Sequence, residues 1–219
     1  MAQIAEDLLL LLLDNAGAQP RIDHARLGRA LAAGLILDLA FDRRVRPALP
    51  DDPVPAGRLV ALAGPPPMDP AIRPALALLA QRPITPSAAI ARIRRHAEDD
   101  VLDQLLRTGQ IHQIQLTSHR VRRNHYRWPT KNRARVAVAR ADLLAALFEH
   151  RRPQPVTAAV ISVLSVVRGL DAMLPLNQAG GRAAAARAEE IATGTWANES
   201  DTAEVNLART ITEVRPALC

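Results

Sequence analysis

The order of apolar and polar positions predicts a series of helices punctuated by proline and glycine turns. Ile4 to Leu13 (IAEDLLLLLL) is apolar nearly all round, which predicts a short buried helix. Asp14 to Gly17 (DNAG) closes it with turn residues. Asp23 is placed as the N-cap of a long helix from about His24 to Phe41. The second half of that helix is apolar on every face and belongs in a core. Its first turns carry Arg26 and Arg29, which reach a surface. A loop and a short strand follow, then a second strand over Arg58 to Ala63, ended by GPPPMDP.

Asp69 with Pro70, and Thr85 with Pro86, repeat one helix-opening pattern, a capping side chain followed by proline in the first turn. The first opens a helix to Gln81. After the second, Ile90, Ile93, Ala97, Val101 and Leu105 recur at helical spacing, giving one amphipathic helix or a kinked pair, stopped by Gly109. QIHQIQL and VRRNHYRW read as the two strands of a hairpin, about residues 110–128. Helices are expected at about Arg135 to Arg151, Pro155 to Gly169, Arg182 to Ala192 and Asn198 to Val214, with LPLNQAGG as a linker. No repeat or low-complexity linker divides the chain. The expectation is a single mainly α domain over residues 1–219, with amphipathic helices around a core and one or two small hairpins.

Composition supports the helical reading. Apolar residues make up 48% of the chain and aromatics only 2%, which disfavours both global disorder and an all-β fold. The 219 residues suffice for a core without disulfides or metals. Cys219 is the sole cysteine, so a disulfide framework and a cysteine zinc site are excluded and a reducing cytoplasm is the natural expectation. The six-leucine run is too short to span a bilayer, and its acidic flank, Glu6 and Asp7, argues against a signal peptide. The formal charge of +6, carried by 27 arginines and one lysine, modestly favours anionic partners.

Catalytic chemistry is hard to find. There is neither a G-x-S-x-G elbow nor a phosphate loop. AGGR, Ala179 to Arg182, is better read as a loop turn than as an anion site. His112, His119 and His125 share a stretch with nine basic residues and no carboxylate between Asp103 and Asp142, a field that repels a metal cation. The acid run Glu98 to Asp100 is expected as a solvated helix face pairing with Arg94, Arg95 and Arg107. No cofactor, metal or enzymatic activity is expected.

Ser118 to Val136 (SHRVRRNHYRWPTKNRARV) is the sharpest feature, with seven basic side chains, Tyr126, Trp128 and no acid. A solvated basic loop is the plain reading. A second is the wing of a winged-helix nucleic-acid binder, with arginines on phosphates. A third is a membrane surface, where arginines meet anionic lipid and the aromatic rings suit the headgroup layer. A protein-interaction scaffold is a further alternative.

AEDLLLLLLDNAG and LGRALAAGLILDLAFDRRV resemble the opening blocks of the Golgi phosphoprotein 3 (GPP34) family in its bacterial branch. Glu6, Asp7, Leu8 to Leu10, Asp14 and Gly17 match the first block, and Leu37, Asp38, Leu39, Ala40 and Arg44 the second. VLDQLLRTGQI, RWPT and TAAVISVLSVVRGLDAML resemble later blocks in order. The resemblance implies a helical domain with a four-helix core and small hairpins. It also implies a peripheral membrane protein whose eukaryotic relatives bind phosphatidylinositol 4-phosphate and act as Golgi sorting adaptors.

Those relatives hold the headgroup with a tryptophan and three arginines. The equivalent positions here fall on Ile22 or Asp23, on Ala32 with Arg29 one turn away, on Arg95, and on Glu98. Only Arg95 keeps its residue type. The resemblance therefore implies a looser anionic-lipid contact by Arg29, Arg94 and Arg95, joined by a hairpin surface of Arg120, Arg122, Arg123, Arg127 and Trp128. Arginines at a hairpin tip resist hydrocarbon, so the tip is expected to lie on headgroups. The resulting expectation is a cytoplasmic protein peripheral to the inner face of the membrane. Its partner is an anionic phospholipid surface; self-association is open, and nucleic acid is the weaker alternative.

Overall fold

The computed structural model describes residues 3–13, 18–116, 125–174 and 177–219. The fold is mainly helical, with two small antiparallel two-stranded sheets in a single domain. Helix α1 spans Gln3–Leu12 and α2 His24–Phe41. Strands β1 (Val45–Pro47) and β2 (Leu59–Ala61) pair next, with Arg46 opposite Val60. A 3-10 turn, Pro70–Ile72, leads into α3 (Arg73–Gln81), followed by α4 (Pro86–Ile93) and α5 (Ala97–Arg107). The second hairpin pairs β3 (Ile114–Leu116) with β4 (His125–Arg127). The rest is helical: α6 (Arg133–Phe148), α7 (Pro155–Val166), α8 (Gly169–Met173), α9 (Gln178–Ala192) and α10 (Thr202–Val214), then a 3-10 turn, Arg215–Leu218.

The core is built from α1, α2, α7 and α10, which contact one another. Ile4, Leu8, Leu9 and Leu12 of α1 are fully enclosed, as are Leu31, Leu35, Ile36 and Leu39 of α2 and Ile161 and Leu164 of α7. The all-round apolar character of the first two helices places them at the centre. The remaining helices are amphipathic and pack outside them.

Helix α1 lies so deep that its N-terminal N–H groups cannot be satisfied by water. Asp38, in the last turn of α2, supplies the acceptor. Its Oδ1 accepts from the Ile4 N–H at 2.9 Å and its Oδ2 from the Ala5 N–H at 3.0 Å. One turn earlier on the same face is Gly34, where an added Cβ would stand 2.8 Å from Ala5 Cα and 2.9 Å from Leu8 Cδ1. The missing side chain lets the two backbones close far enough for the carboxylate to reach.

Capping side chains account for most boundaries. Asp23 accepts from the Arg26 N–H at 2.9 Å and opens α2 at His24. Thr85 opens α4 in the same way, through the Ala88 N–H. The expected helix after Thr85 is the kinked pair, broken over residues 94–96. Four expectations need correction. Asn132 caps α6 through the Arg135 N–H at 3.1 Å, so α6 starts two residues early; it ends at Phe148, before the left-handed His150 (φ 53°). Arg168 (φ 57°) ends α7 short of Gly169, and a separate short helix follows. Asn177 caps α9 through the Gly180 N–H at 2.8 Å, so Gly180 and Gly181 are helical, not a loop turn. Asp201, not Asn198, opens the last helix, α10.

Replacing Asp38 by Ala leaves two enclosed N–H groups without an acceptor, at a cost of about 2–4 kcal/mol of stability. Gly34→Ala overpacks the α1–α2 crossing and costs about 1–3 kcal/mol. Denaturant unfolding of the two variants measures both. Because Gly34 and Asp38 serve the same contact, the double variant is expected to lose less than the sum of the singles.

Candidate functional site

The sequence-derived site begins at the N-terminal end of α2. His24 and Gly28 lie one turn apart on one face of that helix. An added Cβ at Gly28 would meet the Arg94 carbonyl oxygen at 3.2 Å and Arg94 Cβ at 3.6 Å. Glycine at 28 therefore admits the turn between α4 and α5 directly onto α2. One turn towards the start of α2, His24 Nδ1 lies 2.8 Å from Glu98 Oε2. Two residues four apart on α2 thus meet two residues four apart on the turn and α5. Arg29 follows Gly28, and Arg94 and Arg95 sit in the turn it packs against.

The three arginines differ in setting. Arg29 is half-buried, and its Nε is enclosed without a hydrogen-bond partner. Arg94 and Arg95 are exposed. Among the described residues none of the three has an acid partner. An enclosed guanidinium N–H left unbonded is costly.

The hairpin joins this end of the molecule. The Trp128 N–H donates to the Ala18 carbonyl at 2.8 Å, tying the foot of β4 to the segment that leads into α2. Pro20 in that segment bridges back to Leu13 at the end of α1. Trp128 is half-buried, with its ring centroid 5.8 Å from that of Tyr126. Arg127 is exposed and lies opposite Ile114, itself 48% exposed. Arg120, Arg122 and Arg123 lie outside the described residues.

Of the positions that the resemblance implies for a headgroup, Ala32 is wholly buried, Ile22 is buried, and Asp23, the alternative to Ile22, is an exposed acid paired with Arg26. Arg95 is at the surface. The acid run does not pair as the sequence predicts. Glu98 faces His24, and Arg107 Nη2 donates to Gln104 Oε1 at 2.5 Å.

The basic segment is not wholly turned outward. Arg135 Nη1 donates to Glu6 Oε2 at 2.5 Å, and its Nε and Nη2 reach Asp7 Oδ1 at 3.0 and 2.8 Å. One guanidinium at the start of α6 thus serves two carboxylates of α1. Burial pushes both carboxyls above their ordinary values, against the pull of Arg135. Asp7 and Arg135 line a cleft of about 510 Å³ with Val138, Asp142 and Val156. The signal for this pair was two acids interrupting an apolar helix, which called for a basic partner without naming it.

Among the described residues no three His, Cys, Asp or Glu side chains converge as a metal site would need. No described helix is long and apolar enough to cross a membrane. A family model described as Golgi phosphoprotein 3 (GPP34) matches residues 4–207. Comparison with curated proteins finds no match.

Arg135→Ala leaves Glu6 and Asp7 enclosed without a cation and is expected to cost about 3–5 kcal/mol near neutral pH. A raised carboxyl value means that the folded state favours the protonated acid. The stabilising contribution is therefore full below the ordinary carboxyl range and is lost as pH rises through the raised values. The variant should regain part of its stability on acidification towards pH 4, unlike a variant at an exposed arginine. Thermal unfolding against pH checks this.

Proposed function

We propose, because the chain belongs to the Golgi phosphoprotein 3 family and carries the cationic end described above, that it is a non-catalytic peripheral membrane protein binding anionic lipid headgroups. The family as a whole is generally non-enzymatic. The observation that carries the reading is the gathering of Arg29, Arg94 and Arg95, without acid partners among the described residues, at the end where the basic hairpin is rooted.

The contact is electrostatic and not a closed headgroup pocket. Where a pocket would need an arginine and an indole, Ala32 is buried, and the indole position falls on buried Ile22 or on the acid Asp23. That disfavours tight selectivity for phosphatidylinositol 4-phosphate and favours recognition of anionic phosphate in general, each arginine contributing roughly 1 kcal/mol near the surface. The inner face of a membrane is where such a surface would act.

The α4–α5 pair followed by a hairpin does follow the helix–helix–wing order of a winged helix. Its second helix, however, exposes Asp99 and Asp103, which oppose a phosphate backbone. The lipid reading is preferred for that reason. A protein-interaction scaffold has no specific observation in its favour.

Co-sedimentation with phosphatidylglycerol-containing vesicles tests the reading. Binding should be absent on neutral vesicles and should fall steeply with salt. Arg29→Ala combined with Arg95→Ala should weaken it about tenfold or more. Arg122, Arg123 and Arg127 to Ala should also weaken it, whereas Arg182→Ala, at an exposed position of α9, should change it less than twofold. No binding at low salt, or equal losses in every variant, would sink the proposal. Tight sequence-selective DNA binding would favour the wing instead.

A further inference from the structure

We infer that His24 and Glu98 make anion binding at this surface proton-dependent, so that acidification strengthens it; the inference rests on the lipid reading above. Glu98 stands one turn along from Arg94 and Arg95 and puts a negative charge among cations that would meet a headgroup. Its Oε2 is enclosed and accepts no hydrogen bond. The group facing it is His24 Nδ1, 2.8 Å away. A neutral imidazole leaves the charge of the carboxylate uncompensated, whereas an imidazolium 2.8 Å away neutralises it.

The other charged groups here do not duplicate this role. On α2, Asp23 is held by Arg26 through an ion pair at 2.5 Å. Arg29, Arg94 and Arg95 keep their charge at any relevant pH. On α5, Asp99 and Asp103 point outward, and burial pushes the Asp100 carboxyl up, with His96 nearby drawing it down. Imidazoles are the side chains that ordinarily gain a proton between about pH 5 and 8. On α2 and the α4–α5 turn the histidines are His24 and His96, and only His24 faces Glu98. His24 itself is 86% exposed, so its replacement leaves the core untouched.

The charge arithmetic gives the direction. With His24 neutral, the three arginines are offset by Glu98. With His24 protonated, that offset is cancelled and the surface regains one positive charge. One charge beside a lipid surface corresponds to roughly a fivefold change in affinity.

The test is vesicle binding at pH 5.5 and 7.5, at fixed ionic strength. The vesicles mix phosphatidylglycerol with phosphatidylcholine, so the lipid charge is the same at both values. The wild type should bind about fivefold more tightly at pH 5.5. Glu98→Gln should bind at pH 7.5 as the wild type does at pH 5.5. His24→Gln should lose most of the response and remain weak, whereas His96→Gln should retain it. A full pH response in His24→Gln, an equal loss in His96→Gln, or no gain in Glu98→Gln at pH 7.5 each overturns the inference. Wild-type binding that is equal at both pH values overturns this inference and leaves the lipid reading standing. No binding at either pH removes both.

Discussion

The carboxylate of Asp38 and the two N–H groups it accepts set the terms for the rest of the fold. Helix α1 is too apolar to lie anywhere but the centre, and a helix in the centre brings unsatisfied amide groups with it. A buried acid is the matching acceptor, and it gains from the positive end of the helix it caps. Burial still pushes its carboxyl well above the ordinary value, against the draw of the Ile4 and Ala5 amides. The balance works only if α1 and α2 approach at the distance that Gly34 permits. With that crossing fixed, the faces left on α1 and α2 dictate where α7 and α10 dock. The N-terminal end of α2 is then the end that presents Arg29.

The net positive charge is divided rather than spread. Arg46 holds Asp52 in a bidentate ion pair that keeps its carboxyl down to about 2 and pins the loop between β1 and β2. Arg135 is consumed by Glu6 and Asp7. Arg152 and Arg187 donate to the Trp196 and Ala146 carbonyls and tie the α6–α7 region to α9 and the turn after it. These guanidiniums act as multi-donor braces, using planar forks that one lysine could not copy. The arginines left unpaired at the start of α2 and in the α4–α5 turn are therefore a better guide to function than the formal charge.

Much of this was legible in the residues. His24–Phe41 was readable to the residue because Asp23 is a strong cap and the apolar run begins at once. The hairpin and the Thr85 and Asp69 starts were readable for similar reasons. What escaped was decided by competition between local signals. Gly180 and Gly181 look like a loop, yet Asn177 caps the turn before them and the helix runs through. Asn132 likewise starts α6 inside a segment whose charge draws the eye to an outside partner. Contacts distant in sequence, such as Asp38 with Ile4 or Arg135 with Glu6, leave only the mark of a polar residue in an apolar run. His24 with Glu98 leaves less, since each is ordinary at a helix start.

The placement of the aromatic residues bears on how such a surface would meet a membrane. Trp128 is held at the hairpin's foot, with its amide bonded to Ala18 and its ring beside Tyr126. It is half-buried in the protein, and that hydrogen bond fixes its backbone. Ile114 offers the neighbouring exposed apolar surface, and across the strand from it stands Arg127. An arginine beside each apolar contact carries a desolvation cost that grows with depth, so the favourable position is the headgroup layer. Binding of this kind has few apolar contacts to hold it once the charges are weakened. Its strength would then follow the number of uncompensated cations, and one carboxylate at Glu98 would matter out of proportion to its size.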